Sequence, residues 1–336
     1  MGVLSTRNRD IISRRFGLKN GRKETLESIG KSYGITRERV RQIEEVSLRQ
    51  VKDSLGSGFG SKIKPFVDLA ENIIEQSGGV IKEENLFAKF AGSPSGNPTN
   101  AALVFFLTLD GQFRKFSETD DFNTFWGLSG QHADVFKKSI SSFVSALEKN
   151  NSTIAEAAVA DFYKKSGASL KELTPTAIAS YLAISKNISK NTFGHIGLTS
   201  WPEIKPRGVR DKAFLVLKLH GKPKHFREIT QMINSAGFSD RKANVQTVHN
   251  ELIKDKRFVL VGRGMYGLAD WGFKAGTVKD VIIDLLKSSS QPLHKDEIVA
   301  KVLSHRMVKE NTILLNLQDS KTFEKVGEGI YSLKEA

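Results

Sequence analysis

Residues 25–52 read TLESIGKSYGITRERVRQIEEVSLRQVK, and this stretch decides the fold of the N-terminal segment. An apolar stripe recurs at helical spacing in its first part and is formed by Leu26, Ile29 and Tyr33. Thr25 is a suitable N-cap for this helix, and Gly34 stands where a helix ends in a left-handed residue. Thr36 can cap a second helix. Two short helices joined by a tight turn that contains glycine predict a helix-turn-helix.

The second predicted helix carries polar side chains at its N-terminal end. Its apolar face is formed by Val40, Ile43, Val46 or Ser47, and Val51. A recognition helix lies in the major groove with its N-terminal residues against the base edges. The residues at that end here are Arg37, Glu38, Arg41 and Gln42. Arginine can bridge O6 and N7 of guanine, glutamate can accept from N4 of cytosine, and glutamine can pair with adenine.

A second set of side chains is placed to hold the DNA backbone. The hydroxyl of Thr25 stands at a helix N-terminus. The hydroxyl and the free backbone N–H groups of the helix N-terminus can both bind a phosphate. We expect phosphate contacts from Thr25, Lys31, Thr36 and Arg39.

The same residues carry a family resemblance. TRERVRQIE at 36–44, preceded by TLESIG at 25–30, resembles region 4 of the major sigma factors nearly residue for residue. RDII at 9–12 and RFGL at 15–18 are similar to the helix that leads into that domain. The resemblance covers residues 5–55.

This resemblance implies that Arg37, Glu38, Arg41 and Gln42 recognise an upstream promoter element. It also implies docking on the flap of the RNA polymerase β subunit. Sigma factors place a promoter-melting module before this domain, and none precedes it in this sequence. We therefore expect that the chain does not open DNA on its own.

Composition agrees with a polyanionic partner. The chain of 336 residues has a formal net charge of +14, and residues 1–65, with fifteen Lys and Arg against seven Asp and Glu, carry +8 of it. Each phosphate neutralised by such charge releases a condensed counterion. Cysteine is absent, which excludes disulfides and cysteine-rich zinc fingers. No apolar run is long enough for a membrane span or a signal sequence, so we expect a cytoplasmic, nucleoid-associated protein without a membrane partner.

An internal repeat follows a stretch rich in glycine and serine at 54–61. RFVLVGRGMYGL at 257–268 and TFEKVGEGIYSL at 322–333 share a strand, a Gly-x-Gly turn, an aromatic residue and a leucine. Glycine supplies the positive φ that such a hairpin turn needs. Fainter copies end at 113–128 and 192–198. Each hairpin follows a run of helices, which is the element order of a winged helix.

The predicted fold class is mainly α with small β-hairpin wings. A sigma region 4-like helix-turn-helix comes first and is followed by about four winged-helix repeats. The predicted boundaries are 1–55 for the helix-turn-helix (the head), 56–64 for a linker, and 65–130, 133–205, 207–272 and 275–336 for repeats 1 to 4.

Repeat 3 resembles a second family, the HARE-type winged helix of the bacterial RNA polymerase δ subunit and of chromatin-associated proteins. HFREI at 225–229, TVHNEL at 247–252 and the hairpin at 257–268 carry this resemblance, which covers residues 210–271. Possible DNA contacts near its recognition helix and on its wing are Arg241, Lys242, Asn244, Gln246, His249 and Arg263. Winged helices also serve as protein interfaces, so DNA and protein contact both stay open.

A search for catalytic patterns finds no constellation. The seven histidines form no His-Glu-x-x-His motif, and the sequence has no phosphate-binding loop and no Gly-x-Ser-x-Gly elbow. His225 and His294 occupy equivalent positions in two repeats, which favours capping or packing roles. The carboxylates of Glu118, Asp120 and Asp121 are typical of a solvated loop. We expect no enzyme activity, no catalytic residue, no cofactor, no metal and no small-molecule substrate.

The sequence thus predicts a DNA-binding transcription regulator that recognises promoter-type double-stranded DNA and associates with RNA polymerase. An alternative is a polymerase-associated interaction protein, similar to the δ subunit, that docks on the β flap and competes with sigma. A chromosome-organising or DNA-defence protein is a third reading.

Overall fold

The head is a bundle of three helices. The computed structural model describes residues 2–55, 60–168, 173–273, 276–289 and 291–334. The helices are α1 (Thr6–Phe16), α2 (Leu26–Tyr33) and α3 (Arg37–Ser54). As predicted, Thr25 and Thr36 cap α2 and α3, and Gly34 ends α2 with a φ of 62°. Ile11, Ile29 and Val40 are fully buried between the three helices.

Of Val46 and Ser47, the two candidates for the buried face of α3, the structure buries Ser47. Ser47 is fully buried, whereas Val46 is 52% exposed. The two residues lie on either side of the apolar stripe, so helical spacing alone does not separate them.

Four winged helices follow, each with the order helix, strand, helix, helix, strand, strand. Repeat 1 contains α4 (Gly60–Gln76), β1 (Val80–Lys82), α5 (Glu83–Ala91), α6 (Pro98–Asp110), β2 (Arg114–Phe116) and β3 (Phe125–Gly127). Repeat 2 contains α7 (Gly130–Asn150), β4 (Ile154–Ala155), α8 (Val159–Lys165), α9 (Pro175–Ile184), β5 (Ile188–Lys190) and β6 (His195–Leu198).

Repeats 3 and 4 have the same order. Repeat 3 contains α10 (Gly208–His220), β7 (Lys224–His225), α11 (Phe226–Ser235), α12 (Val245–Lys254), β8 (Phe258–Gly262) and β9 (Met265–Leu268). Repeat 4 contains α13 (Val278–Ser288), β10 (Leu293–His294), α14 (Lys295–His305), α15 (Glu310–Leu317), β11 (Phe323–Gly327) and β12 (Ile330–Leu333). The predicted fold class is confirmed.

Each repeat has one small antiparallel sheet in which the last strand lies in the middle. The strand orders are β1-β3-β2, β4-β6-β5, β7-β9-β8 and β10-β12-β11. In the wings of repeats 3 and 4 the register shifts at Gly262 and Gly327, the first glycines of the two Gly-x-Gly turns. The sequence repeat is therefore also a repeat of backbone geometry.

The predicted linker 56–64 needs a correction. Residues 60–64 form the start of α4, and residues 56–59 lie outside the described residues. α4 packs its buried side chains Val67, Ala70 and Ile74 into the core of repeat 1. Within the predicted linker, Ile63 is partly buried against the same core, which explains why helix replaces linker there although Gly60 and Ser61 continue the glycine- and serine-rich stretch.

The chain divides into two compact units, Met1–Lys190 with His195–Thr199, and Asn191–Gly194 with Ser200–Ala336. The first unit holds the head, repeat 1 and nearly all of repeat 2, and the second holds repeats 3 and 4. Among the described residues, no helix has the length and apolar character that crossing a membrane requires.

Candidate nucleic-acid interface

The turn between α2 and α3 holds the two helices tightly together. A Cβ on Gly30 would lie 2.7 Å from the carbonyl oxygen of Ile35, so only glycine fits there. The hydroxyl of Thr36 accepts the N–H of Arg39 at 3.1 Å and starts α3. This turn fixes the direction in which the first residues of α3 project.

Polar contacts from α1 brace the helix-turn-helix. The guanidinium of Arg14 donates to Glu24 at 2.7 and 2.9 Å and to Ser32 at 2.8 Å. The hydroxyl of Tyr33 donates to Asp10 at 2.7 Å. The bond from Arg14 lowers the pKa of Glu24, and bonds from Lys19 and then Tyr33 lower the pKa of Asp10. These bonds tie both ends of α2 to one rigid neighbour.

The four predicted base-reading side chains share the exposed side of α3. They belong to Arg37, Glu38, Arg41 and Gln42, and all four are exposed. The opposite side of α3 is buried through Val40, Ser47 and Val51. The N-terminal half of α3 therefore offers a polar surface of the kind that enters a major groove.

The predicted phosphate contacts lie around the same surface. Thr25, Lys31, Thr36 and Arg39 are all exposed. The hydroxyls of Thr25 and Thr36 each accept a backbone N–H at 3.1 Å, which leaves their own O–H free to donate. Arg39 donates to the side-chain oxygen of Gln42 at 3.0 Å.

Arg41 lies between two carboxylates. Its Nε and Nη2 donate to Glu38 at distances of 2.8 to 3.1 Å, and its Nη1 donates to Glu45 at 3.3 Å. The same contacts lower the pKa of Glu38 and raise that of Arg41. Glu45 was not among the predicted site residues, although its spacing of four from Arg41 is the ordinary signal for an ion pair on a helix.

The head and repeat 1 share one apolar core. From the head it includes Leu4, Ile12, Phe16 and Val51, and from repeat 1 it includes the buried side chains of α6. The rings of Phe16 and Phe105 meet edge to face with centroids 5.1 Å apart. α6, which takes the place of a recognition helix in repeat 1, is therefore largely buried against the head.

The recognition helix of repeat 2, α9, is covered in a similar way. Its Ser180 hydroxyl donates to the carbonyl of Val80 at 3.0 Å, and its Tyr181 hydroxyl donates to the carbonyl of Gly78 at 2.9 Å. Both acceptors belong to repeat 1. This helix therefore packs on the sheet of repeat 1.

The acidic loop of repeat 1 also contacts repeat 2. Lys186 donates to Glu118 at 2.5 Å, and Asn187 donates to Asp121 at 2.9 Å. The wing of repeat 1 thus joins repeat 2, and these carboxylates have protein partners. Across the described ranges no group of three or more metal-ligating side chains lies close enough to hold an ion.

In repeat 3 the predicted contacts divide into two groups. Arg241, Lys242, Gln246 and Arg263 are exposed. Arg241 and Lys242 line a cavity of about 290 Å³ beside the start of α12. Asn244 caps α12 by accepting the N–H of Gln246 at 2.8 Å.

His249 belongs to the interior of repeat 3 more than to its surface. It is half-buried, and its ring stacks on that of Phe226 with centroids 4.2 Å apart. The ring of Tyr266 lies edge-on to it at 5.9 Å. This aromatic cluster explains why a histidine is placed on the inner side of α12.

His225 and His294 both act as N-caps, of α11 and α14. The wing turn lies directly over each ring. A Cβ on Gly264 would meet Nε2 of His225 at 2.6 Å, and one on Gly329 would meet Nε2 of His294 at 2.7 Å. The shared His and Gly-x-Gly pattern is therefore a packing motif that seats each wing on its helix.

Repeat 4 exposes apolar side chains both on α15 and on its wing. Leu315 on α15 is 65% exposed, and Val326 and Ile330 on the wing are also exposed. α15 contains Glu310 and no lysine or arginine. Exposed apolar side chains, on a recognition helix without lysine or arginine, suit a protein partner better than a phosphate backbone.

α3 contains many more basic residues than the other recognition helices. α3 holds five of them, Arg37, Arg39, Arg41, Arg49 and Lys52. α6, α9 and α15 hold none, and α12 holds only Lys254 at its end. Positive charge for DNA is thus concentrated on the recognition helix of the head.

Comparison with known proteins agrees with the two resemblances. Residues 1–53 match the family "Sigma-70, region 4", and residues 208–271 match the HARE-HTH family, whose description includes the "ASXL, restriction endonuclease HTH domain". A segment of 54 residues is 52% identical to the RNA polymerase sigma factor SigA1 of Synechococcus elongatus, which covers 15% of this chain and 14% of that protein. Both suspected domains are confirmed, and the matches indicate a DNA-binding, transcription-related chain.

Proposed function

We propose that this chain is a transcription regulator whose head reads promoter-type DNA with the N-terminal half of α3. Arg37, Glu38, Arg41 and Gln42 contact base edges, while Thr25, Lys31, Thr36 and Arg39 hold phosphates. The concentration of exposed arginine on α3 carries this proposal, since the other recognition helices in the described part of the chain hold no arginine.

Repeats 1 and 2 serve as a scaffold in this proposal. Their recognition helices face the head and a neighbouring sheet, so they position the head rather than read DNA. Repeat 3 adds phosphate contacts through Arg241, Lys242 and Arg263, with Gln246 near the base edges. The chain works in the cytoplasm, on the nucleoid, and without catalysis.

A second function is favoured by the apolar surface of repeat 4. Leu315, Val326 and Ile330 would contact a protein, and the two transcription-related domains make RNA polymerase the partner we propose. If this second function is the main one, the head docks on the β flap of RNA polymerase and reads few bases.

Selection of bound duplexes from a randomised pool, performed with the full chain, tests the main proposal. We expect one enriched motif. Gln42→Ala should reduce affinity for that motif by roughly 5- to 150-fold, the range for one bidentate base contact. Gln50→Ala is the matched control, because Gln50 is an exposed glutamine of α3 outside the predicted reading set.

The two functions give different results. No enriched motif, together with recovery of polymerase by the immobilised full chain, would reject base reading and leave the interaction protein. Loss of polymerase recovery after Leu315→Glu, with the motif unchanged, would assign the partner surface to repeat 4.

A further inference from the structure

Glu45 stands one helical turn beyond the predicted reading set and on the same side of α3. Its carboxylate receives Nη1 of Arg41 at 3.3 Å on one side and lies 3.8 Å from Nη2 of Arg49 on the other. All three side chains are more than half exposed, so this row of charges is accessible to a partner that binds the exposed side of α3.

The contacts leave Arg41 able to read a base. A guanidinium has five N–H groups. Glu38 engages Nε and Nη2, and Glu45 engages Nη1. At least two N–H groups remain, which is the number that a bidentate contact with O6 and N7 of guanine uses. The two carboxylates therefore restrict the side chain of Arg41 without exhausting its donors.

Restriction matters because a free arginine can adopt many rotamers and can reach a phosphate as readily as a base. Holding the guanidinium before binding lowers the entropy lost when it meets guanine. A carboxylate beside it also repels phosphates, which weakens contacts that carry no sequence information.

We propose that Glu45 is a positioning residue that sets the base selectivity of Arg41. This inference rests on the proposed function, because it requires that α3 reads DNA. Glu38 is distinct, since it is itself expected to accept from a base. Glu45 acts through Arg41 and stays beside it in the complex.

The test measures the affinity of the full chain for its selected duplex, for that duplex with the base pair read by Arg41 replaced, and for a random duplex. Glu45→Gln should lower the discrimination between the first two by roughly two- to fivefold, the scale of an exposed ion pair. It should also strengthen binding to the random duplex and steepen the salt dependence by up to about 0.9 in log–log slope.

Glu27→Gln is the matched control. Glu27 is an exposed glutamate of the head that pairs with Lys31 at 3.9 Å, and its replacement changes the net charge equally. This variant should leave discrimination at the base pair of Arg41 unchanged. In the Arg41→Ala background, Glu45→Gln should also have no effect on discrimination.

Different results would reject the positioning role of Glu45 and the proposed DNA reading by α3. Unchanged discrimination in Glu45→Gln, or an equal effect in the Arg41→Ala background, would overturn the positioning role while DNA reading stands. A wild-type chain that selects no sequence would overturn both.

Discussion

The ring of Phe105 in repeat 1 lies edge-on to the ring of Phe16 in the head, with centroids 5.1 Å apart and planes at 74°. Both rings are buried in the core that the two domains share. The helix-turn-helix therefore packs on the winged helix that follows it, and Val51 of α3 is part of the shared core.

Removing Phe105 should loosen the head as well as repeat 1. Phe105→Ala should lower the free energy of unfolding by about 3–5 kcal/mol, as for other buried phenylalanines. Hydrogen exchange measured residue by residue should then speed up at the amides of α1. Phe66→Ala is the control, because Phe66 is half exposed and should have a small effect. Unchanged protection of α1 would show that the two domains are not energetically coupled.

Substitution of Gly264 should disturb the wing of repeat 3. Its φ of +69° costs other residues about 1–2 kcal/mol, and a new Cβ would also displace the ring of His225. Gly264→Ala should therefore destabilise the protein more than Gly272→Ala, since Gly272 has a φ of +82° and open space around it. Thermal unfolding followed by near-ultraviolet circular dichroism measures the difference, and equal losses would contradict the packing motif.

Lowering the pH should remove the contribution that the bond between Arg14 and Glu24 makes to the free energy of unfolding. The pKa of Glu24 is lowered in the folded protein, so its stabilisation is present above about pH 4.3 and is lost as the pH falls through the folded value. Since Glu24 is 36% exposed, we expect only about 0.2–1 kcal/mol from it. The urea midpoints of wild type and Glu24→Gln should differ at pH 7, and the difference should shrink as the pH is lowered below about 4.3. A difference that stays constant from pH 7 into the acid range would show a role other than charge.

Arg39 should contribute equally to the affinity for DNA duplexes of any sequence. Arg39→Ala should weaken binding to selected and random duplexes by the same factor and reduce the log–log salt slope by about 0.9, because one phosphate contact is lost. Lys138→Ala, an exposed lysine on α7, should leave the slope unchanged. A loss confined to the selected duplex would place Arg39 among the base-reading residues instead.

Local chemistry made much of this fold predictable. Thr25 and Thr36 as caps, Gly34 as a helix end and the Gly-x-Gly turns each depend on neighbours a few residues away. The choice of Ser47 over Val46 was not predictable, because it depends on how α3 packs in the folded head.

The covering of α6 and α9 depends on contacts distant in sequence, although their composition carried a signal. Both helices are apolar almost all round, and such helices are usually buried on all sides. The spacing of four residues from Glu45 to Arg41 and to Arg49 was a sequence signal for ion pairs, and the structure adds their distances of 3.3 and 3.8 Å. The predicted base and phosphate contacts stay predictions until DNA binding is measured.

The core shared by the head and repeat 1 also determines where the chain can be truncated without exposing buried side chains. A fragment that stops after α3 keeps every side chain of the head expected to face DNA, yet it leaves Leu4, Ile12, Phe16 and Val51 open to water. Such a fragment should aggregate or bind poorly for reasons unrelated to recognition. The smallest piece that keeps this shared core ends near Leu128, so the head and the first winged helix should be expressed and purified together as one module.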